Sequence, residues 1–585
     1  MKKIFLFISL LLATTNLMAE PIGEKRAREI ATEFLSQKMT RANISNLQLK
    51  WAGSNINGVT RTSNNTDDSL MYIYNSAESN SFVIVGGDTN ADFVLAYSLN
   101  NTFDMENMAD GAKAILSAWC RQIEDARKNN KPINIARQST RTNDNILYET
   151  ALWSQGEPYN RKAPSIDGKR SVTGCVATAM SILCYYYKWP NNGVGTTPEY
   201  SYQVKVGETI QTYSVEANQL GHPYEYDKMI ACYDSENVNY TEEQADAVAT
   251  LMKDMGTSVK MAYHPTGSGA LTTNLVKALV NNFGYSKSTL LAYGDNYSYE
   301  EWANLIRETL RNYGPTYFGG YDPDQGGHAY VVDGYDENNY FRFNFGWGGN
   351  SNGYYAIPGQ AFYRQQDALL YLAPDRDGTS MHRDNMTIKY NIEYDLPQYF
   401  NENRLVNDSI FVQNDGFTTF NGTIKLILCD QYGNWKQELF TKDYSVEIGD
   451  YAYIESEKFN VDITSLNLEE GDRLRVYYKG EYSDEWQWAL ACNGLKVDEP
   501  LVMASAEDLA EGLSLIYYKT NGTLYFENKH NLKFAMYYLY NNTYTYLGEA
   551  HIPSNKEEFL ELASGYTYKL EFSLGSDPYQ LILKL

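Results

Sequence analysis

The sequence predicts an α+β protein whose last third changes to β structure alone. Residues 20–140 combine two amphipathic helical patterns with three strand-like runs. Residues 141–375 combine further helical runs with apolar strands flanked by glycine. After residue 375, apolar and polar residues alternate, which is typical of antiparallel β-sandwich modules. The length of 585 residues suits about four domains.

Composition and charge exclude several classes of function. The formal net charge is −24 at pH 7 and the pI is about 4.8, so binding to nucleic acid or to an anionic membrane surface is not expected. Hydrophobic residues make up 43% of the chain, which is ample for packed cores. The six cysteines are scattered, and no Cys/His cluster has the spacing of metal ligands. We therefore expect few or no disulfides, no metal and no other cofactor.

The first nineteen residues have the features of a secretory signal peptide. Lys2 and Lys3 form the charged start, residues 4–13 form the apolar centre, and Ala19 precedes the predicted cleavage point. No later run is long and apolar enough to span a membrane. The sequence thus predicts a secreted, extracellular protein without a transmembrane segment, and leaves association with the cell surface open.

Residues 20–140 are predicted to form a separate small α/β domain. Apolar residues between Ala27 and Leu35 recur at helical spacing, and a second helix fits residues 109–127. Strand-like runs lie at residues 70–74, 82–85 and 94–97. The polar segment 129–145 that follows has the composition of a linker that proteases cut readily.

One cysteine occupies a position that favours a reactive thiolate. Cys175 opens an apolar run with helical spacing, which Trp189 and Pro190 end. Thr173 is the predicted N-cap, and Gly174 allows a tight turn before the thiol. A cysteine in the first helical turn faces unpaired N–H groups and the positive end of the helix dipole, which favours the thiolate. If Cys175 is considered alone, the favoured interpretation is a buried cysteine that acts as a small hydrophobic residue.

Two later segments supply partners for this thiol. His328 opens an apolar strand and follows two glycines. Asn344 comes one predicted hairpin later, after a turn at residues 336–339. Two adjacent antiparallel strands are expected to bring Asn344 beside His328, where its side-chain carbonyl can fix the tautomer of the imidazole. A thiol, a base and an orienting amide form the arrangement of thiol hydrolases.

Four motifs together resemble the streptopain family of cysteine peptidases, the peptidase C10 family. They are residues 155–160 (QGEPYN), 173–179 (TGCVATA), 326–329 (GGHA) and 344–349 (NFGWGG). The resemblance runs in order over about residues 20–370. Phe345 stands where streptopain has tryptophan, so altered packing is expected there. The papain signature around the cysteine is absent, so the chain does not resemble papain's own family.

The resemblance implies a papain-like α+β peptidase domain at residues 141–375 and a role for each motif. Cys175 resembles the nucleophile of the family and His328 its general base. Gln155 resembles the glutamine that helps to form the oxyanion hole. Asn344 resembles the residue that orients the histidine, and Trp347 resembles the indole that shields this pair.

The resemblance also implies a substrate cleft. The loop at residues 266–270, between helical runs at 242–255 and 272–282, resembles the loop that lines the cleft of streptopain. This loop is glycine-rich but lacks the lysine of a phosphate-binding loop, so nucleotide binding is not expected. Gly269 stands where streptopain has serine, so only a backbone contact with substrate carries over. Gly327 resembles a second contact, where the missing side chain lets the substrate backbone approach.

The C-terminal part is predicted to form two β modules, residues 376–499 and 500–585. Apolar and other residues alternate over residues 473–478, and turns fall between such runs. Three aromatic residues could line a site for a host or surface ligand, although core packing is the favoured role. These residues are Trp486, Trp488 and Tyr566.

The sequence therefore predicts a secreted cysteine endopeptidase that cleaves protein substrates. The order of leader, small domain and cuttable linker, together with the resemblance, predicts a zymogen whose propeptide, residues 20–140, is an intramolecular inhibitor. One alternative is a Cys/His amidase acting on cell-wall peptides, or a transferase of related fold. The other is a catalytically idle adhesin whose β modules bind a surface ligand.

Overall fold

The structure is a computed structural model that describes most of the chain. It describes residues 19–39, 46–56, 68–133, 145–206, 209–234, 238–394, 404–407, 409–454, 460–469, 471–492, 495 and 497–501, and then 504–510, 513–518, 523–528, 532–540, 543–552, 558–561, 567–574 and 577–584. The predicted signal peptide, apart from Ala19, and most of the predicted linker lie outside these residues.

The N-terminal domain, residues 19–133, is a four-stranded antiparallel sheet covered by one helix on each face. Its helices are α1 Gly23–Lys38 and α2 Asp110–Asn129, and its strands are β1 Gln48–Gly53, β2 Met71–Ser76, β3 Ser81–Gly86 and β4 Val94–Ser98. Alternate strand residues face each helix, as the period of two requires: Tyr72, Val83 and Val85 pack in the core under α1, whereas Ile73 and Ile84 pack in the core under α2. Both predicted helices and all three predicted strands are confirmed, and β1 is an additional strand.

The described residues of the central part, 145–374, form four α-helices, and α3 begins at the predicted cysteine. The helices are α3 Cys175–Tyr187, α4 Glu242–Ser258, α5 Thr272–Asn281 and α6 Tyr299–Tyr313. The short strands are β5 Ile146–Leu147, β6 Ser165–Ile166, β7 Lys169–Arg170, β8 Thr196–Thr197, β9 Tyr200–Val206, β10 Thr209–Val215 and β11 Asn218–Gln219. The main-sheet strands are β12 Leu290–Tyr293, β13 Thr316–Asp322, β14 Gly326–Tyr335, β15 Phe341–Asn344, β16 Gly353–Tyr355 and β17 Arg364–Leu370.

The N-terminal domain and the central part share one continuous sheet. The strand order is β1-β2-β3-β4-β16-β15-β14-β13-β17-β12, with β5 paired to β14 at the side. The junction is the antiparallel pair β4–β16, in which Tyr97 lies opposite Tyr354 and Ala96 opposite Tyr355. The sequence did not predict this shared sheet. It forms because an edge strand presents unpaired N–H and C=O groups that a second edge strand can satisfy.

Two cores lie on opposite faces of this sheet. Helices α2 and α6 pack with Tyr330, Val332 and Phe343 on one face. Helices α3, α4 and α5 pack with Val331 and Leu369 on the other face. Because neighbouring residues of β14 point to opposite faces, this strand contacts both the N-terminal helix α2 and the cysteine-bearing helix α3.

In the described residues, the C-terminal part contains two β modules, each with two four-stranded sheets. The strands of the first module are β18 Met386–Ile388, β19 Arg404–Val406, β20 Ile410–Asn414, β21 Phe420–Cys429, β22 Trp435–Val446, β23 Tyr451–Ile454, β24 Asn460–Asp462, β25 Arg473–Gly480, β26 Gln487–Trp488 and β27 Leu490–Ala491. Those of the second are β28 Ala504–Ala510, β29 Leu513–Tyr518, β30 Thr523–Asn528, β31 Leu532–Tyr540, β32 Thr543–Ile552, β33 Glu558–Glu561, β34 Thr567–Leu574 and β35 Asp577–Lys584. The first module has an additional two-stranded sheet, β19–β24. All strand pairs described in the two modules are antiparallel except β18–β27.

In the first module, the apolar residues of the alternating pattern face the core between the sheets. Leu474 lies opposite Leu428, and Val476 opposite Leu426, and all four side chains are in the core between the sheets. On the outer face of the same strands, Trp486 and Trp488 pack in a small cluster around Tyr477. Of the three aromatic residues singled out in the sequence, these two have packing roles, and Tyr566 lies outside the described residues.

The first module is bonded to the central part through a buried polar group. Asp415, at 2% exposure, accepts hydrogen bonds from the Tyr293 hydroxyl at 2.9 Å and from the Lys389 ammonium at 2.7 Å. Asn385 donates to the carbonyl of Leu291 at 3.0 Å. A buried carboxylate needs such hydrogen-bond partners, so these bonds favour one relative position of the first module and the central part.

All six cysteines are free thiols. None of the helices in the described ranges is long and apolar enough to cross a membrane.

We expect the Lys38→Met substitution to destabilise the junction of the two sheet halves. Lys38, on α1, bridges Asp336 at 3.0 Å and Glu337 at 2.8 Å, and the Lys38 and Asp336 side chains are only 15% and 5% exposed. Losing a charged partner at such burial costs about 1–3 kcal/mol. Urea unfolding of full-length protein, kept uncleaved by Cys175→Ala, measures this cost. The control Lys128→Met removes an ammonium that is 68% exposed and should change the unfolding free energy by less than about 0.5 kcal/mol; equal effects would contradict the role given to Lys38.

Candidate active site

The thiol of Cys175 lies at the first position of α3. The N-cap is Gly174, at φ 87° and ψ 145°, and not Thr173 as predicted. A Cβ at Gly174 would lie 2.6 Å from the sulfur of Met261, so both the positive φ and the close packing require glycine. The Thr173 hydroxyl instead meets that of Thr178 at 2.8 Å, one turn into the helix.

The segment before the thiol is fixed to the loop 266–270. The Val172 N–H donates to the carbonyl of His264 at 3.2 Å. The Ser268 hydroxyl donates to the carbonyl of Val172 at 2.7 Å and accepts from the His264 N–H at 2.8 Å. The loop that was predicted to line the cleft is therefore held directly beside the helix start.

Gln155 lies on the other side of the same segment. Its carbonyl accepts from the Thr173 N–H at 3.1 Å, and the residue is 9% exposed. Trp153 anchors the chain just before it, because its indole donates to Ile230 at 2.8 Å and its carbonyl accepts from the Gly348 N–H at 3.0 Å. The structure thus brings the Gln155 segment to the N-terminus of α3.

His328 lies near the start of β14. Its backbone is close to the Cys175 thiol, but its imidazole ring forms a hydrogen bond with another group. The N–H of the following residue, Ala329, approaches the sulfur of Cys175. The imidazole Nε2 instead donates to the carbonyl of Gln325 at 2.9 Å. Among the described residues, no hydrogen bond joins Cys175 to His328.

Asn344 is not beside His328. In the β14–β15 ladder it lies opposite Val331, three residues from His328, and residues an odd number apart point to opposite faces of a strand. Its amide nitrogen donates to the Thr150 hydroxyl at 2.9 Å and to the carbonyl of Ala151 at 2.8 Å, and its amide oxygen accepts from the Gly346 N–H at 3.2 Å. The hairpin was predicted correctly, but its register was not.

The aromatic residues after Asn344 pack against the core shared with the N-terminal domain. Trp347 is half-buried against this core. Phe345 packs at 5.1 Å from the Tyr330 ring, and a Cβ at Gly111 of α2 would lie 2.8 Å from it. The altered packing expected at Phe345 therefore involves the N-terminal domain.

The two predicted cleft glycines face open space. A Cβ at Gly269 would meet no atom within 4 Å, and one at Gly327 would meet only the Tyr321 ring, at 3.9 Å. The loop of Gly269 is closed by backbone bonds with Ala262 in both directions. Neither glycine is therefore required by local packing, and the space beside each is open.

Helix α2 of the N-terminal domain lies over this site and brings charge to it. Its first residue, Asp110, is near enough to raise the pKa values of both Cys175 and His328. Arg121, three turns later, binds Asp322 and Asp324 in the turn between β13 and β14. Asp322 in turn accepts the N–H of Gln325 at 3.0 Å, the residue whose carbonyl holds the His328 ring.

These surroundings keep the thiol and the imidazole neutral. Burial raises the pKa of Cys175, the Asp110 carboxylate raises it further, and the N–H groups of Ala329, Val176 and Cys175 itself oppose the rise. Burial lowers the pKa of His328, against the opposing effect of Asp110. The thiolate predicted from the helix position is therefore not favoured here, because burial outweighs the helix terminus.

Sequence reasoning missed Asp110, Arg121 and the Gln325 carbonyl. Asp110 has a local signal, an acidic residue in the first turn of a helix, but its position over the thiol depends on the shared sheet. Within the ranges that the structure describes, no group of His, Cys, Asp and Glu residues could hold a metal ion.

Residues 153–355 match the sequence model of the Peptidase C10 family, and residues 19–123 match that of the Spi protease inhibitor family. The thiol protease/hemagglutinin PrtT of Porphyromonas gingivalis is 30% identical over 370 residues, which are 60% of this chain and 41% of that protein. The chain thus spans less than half the length of PrtT. Streptopain of Streptococcus pyogenes is 28% identical over 355 residues, 57% of this chain and 84% of that protein.

A solved structure of a Prevotella intermedia prointerpain A fragment is 27% identical and covers 56% of this chain and 100% of its own, with a TM-score of 0.46. The C10 match contains Gln155, Cys175, His328 and Asn344, and the inhibitor match contains most of the domain whose helix α2 covers them. Residues 153–355 are thus a peptidase C10 domain similar to that of streptopain, and an inhibitor-type domain lies ahead of it.

Proposed function

We propose that this chain is an exported cysteine endopeptidase, made as a zymogen, that hydrolyses peptide bonds of protein substrates. One observation carries the proposal: Cys175 begins a helix, and the Ala329 N–H approaches its sulfur. The backbone of His328 is therefore already next to the thiol, and only its ring is turned away. A rotation of one side chain would complete a nucleophile and its base. The features of residues 1–19 support export.

The arrangement supports the following reaction. Once His328 has left the Gln325 carbonyl, its imidazole takes the thiol proton, and the thiolate attacks the peptide carbonyl. The oxyanion receives the Cys175 N–H and the Gln155 side-chain amide, and such a donor is worth about 10²–10³ in rate. The imidazolium then protonates the leaving amine, and water hydrolyses the thioester with His328 as base.

The proposed latency depends on two side chains of α2. The Asp110 carboxylate opposes thiolate formation at Cys175. Arg121 ties down the turn that contains Gln325, and so stabilises the position in which His328 faces away from the thiol. Removal of α2 would expose the thiol to water, lower its pKa and release this turn.

Asn344 is proposed to act on His328 indirectly. Its amide binds the segment around Thr150 and Ala151, so it holds this segment against β15, the neighbour of the strand that carries His328. Direct orientation of the imidazole by Asn344, and its shielding by Trp347, require the conformation reached after activation.

The alternative of an amidase acting on cell-wall peptides is less well supported. The inhibitor-type domain and the open space beside Gly269 and Gly327 suit an enzyme that binds extended protein chains and must be kept inactive before export. Hydrolysis of casein, compared with hydrolysis of peptidoglycan stem peptides, separates the two activities.

The Cys175→Ala substitution should abolish casein hydrolysis and labelling by the epoxide E-64, since it removes only the sulfur. Cys232→Ala is the matched control, because Cys232 is also a partly exposed free thiol and should leave activity within about twofold. Casein hydrolysis by purified Cys175→Ala protein would refute the proposed nucleophile.

We expect Asp110→Asn to speed the loss of the N-terminal domain several-fold. Removing the carboxylate lowers the pKa of Cys175, so more thiolate is present at a given pH. The rate is measured on full-length protein by N-terminal sequencing of timed samples, and the thiol pKa by the pH dependence of Cys175 alkylation in the uncleaved fraction. Glu124→Gln, a 51% exposed carboxylate on the same helix, is the control. An unchanged thiol pKa in Asp110→Asn would show that this carboxylate does not act on the nucleophile.

The Asn344→Ala substitution should reduce kcat/KM less than His328→Ala does. His328 transfers protons in both steps, whereas Asn344 supports the site through buried hydrogen bonds, whose loss appears mainly as about 1–3 kcal/mol of stability. Both variants are compared on one peptide after active-site titration, which corrects for unfolded protein. Equal losses in kcat/KM would mean that Asn344 takes part in the reaction itself.

A further inference from the structure

One carboxyl group close to the thiol is not used by the proposed mechanism. Asp367 lies in β17 opposite Gly319 of β13, and Gly319 lies opposite Ala329 of β14. Residues directly opposite each other in neighbouring strands project to the same face of a sheet. Asp367 therefore shares the face of Ala329, whose N–H approaches the Cys175 sulfur.

The missing side chain of Gly319 lets this carboxyl extend toward the thiol. A Cβ at Gly319 would clash with Oδ1 of Asp367 and would lie 3.5 Å from the Tyr317 hydroxyl. The carboxyl thus lies across Gly319, about one strand spacing of ~4.8 Å from Ala329. A substrate side chain next to the scissile bond can reach that far.

The carboxyl has an unsatisfied oxygen. Oδ1 of Asp367 is buried and has no hydrogen-bond partner in the part of the chain that the structure describes, although the residue as a whole is partly exposed. Burial raises the pKa of Asp367 to about 7, the Thr272 hydroxyl and Lys389 lower it, and Asp415 raises it. A buried acceptor without a partner costs free energy that a donor from a ligand would recover.

The neighbours of Asp367 come from several elements. Thr272 begins α5, directly after the cleft loop 266–270, and its hydroxyl meets that of Tyr317 at 3.0 Å. Lys389 and Asp415 belong to the first β module and are paired with each other at 2.7 Å. The other titratable groups that interact electrostatically with Asp367 are the hydroxyls of Tyr293, Tyr317, Tyr330 and Tyr363. All four tyrosines have raised pKa values and are neutral, so none of them supplies a positive charge to balance the Asp367 carboxylate.

We propose that Asp367 selects substrates with lysine or arginine at P2, the second residue before the scissile bond. This inference rests on the proposed peptidase function and names the substrate preference of the same site. In an extended substrate, successive residues are ~3.3–3.6 Å apart and their side chains alternate between faces. The P1 carbonyl carbon is bonded to the Cys175 sulfur during acylation, so the P2 side chain begins one residue away from the sulfur. A P2 side chain that starts there is long enough to reach the Asp367 carboxyl. A guanidinium or ammonium there would donate to the unsatisfied Oδ1.

The test uses protein expressed as the full chain and then processed. The fluorogenic peptides differ only at P2, which is arginine, citrulline or leucine. Citrulline keeps the shape of arginine without its charge. We expect the arginine-to-citrulline ratio of kcat/KM to be about tenfold at pH 8, as for a hydrogen bond to a charged group, and to fall below pH 6, where Asp367 is protonated. In Asp367→Asn the ratio should approach one, because the arginine peptide loses more kcat/KM than the citrulline and leucine peptides do.

Two further variants complete the test. Asp324→Asn, a 58% exposed carboxylate in the neighbouring hairpin, should keep the native ratio. Thr272→Val removes a hydroxyl that lowers the pKa of Asp367, so the pH at which the arginine preference develops should rise. A native ratio in Asp367→Asn, an equal loss on all three peptides, or a charge preference at P1 instead of P2 would each overturn the proposal. If the wild-type chain cleaved neither casein nor any peptide, the proposed peptidase function would fail first.

Discussion

The pairing of β4 with β16 is the constraint on which the arrangement of the active site depends. Only two residue pairs form it, Tyr97 with Tyr354 and Ala96 with Tyr355, but they join two sheets into one. Tyr97 adds a stacked contact with Tyr354 at 5.0 Å and a hydrogen bond to Asp336 at 2.6 Å. Once the sheets are continuous, α2 must lie across β13 and β14, since it covers the same face as α6. The inhibitor-type domain is thereby held over the peptidase domain by backbone pairing along the sheet, and its charged side chains are placed beside the thiol.

The helix N-terminus and burial shift the pKa of Cys175 in opposite directions and by different amounts. A helix N-terminus stabilises a negative charge by about 0.3–1 kcal/mol, which is less than one pKa unit. Burial in a low-dielectric site can shift a pKa by up to 3–5 units. The covered thiol is therefore neutral although it begins a helix, and the same helix can favour the thiolate once α2 is removed and water enters. Under the proposed mechanism, the domain that covers the site controls the protonation state of Cys175 as well as access to it.

Local patterns in the sequence predict more of this structure than of its site. The helix of Cys175, the hairpin of His328 and the alternating strands of the first β module follow from periodicity and turn residues, which act over short distances. The register of Asn344 could not be predicted, because one residue more or less in the turn at 336–339 moves its side chain to the other face. The shared sheet could not be predicted either, since edge strands such as β4 and β16 carry no signal for their partner. Asp110 and Asp367 acquire their positions only through that sheet, at distances of 65 and 192 residues from Cys175 in the numbering.

The most direct test of this account is a crystal structure of the processed protein without its N-terminal domain. The account predicts that the His328 ring leaves the Gln325 carbonyl and that one of its nitrogens lies within about 4 Å of the Cys175 sulfur, as a reactive pair requires. A processed, active enzyme in which Nε2 of His328 still donates to Gln325 would contradict it, because the covering helix would then have no part in holding the base away from the nucleophile.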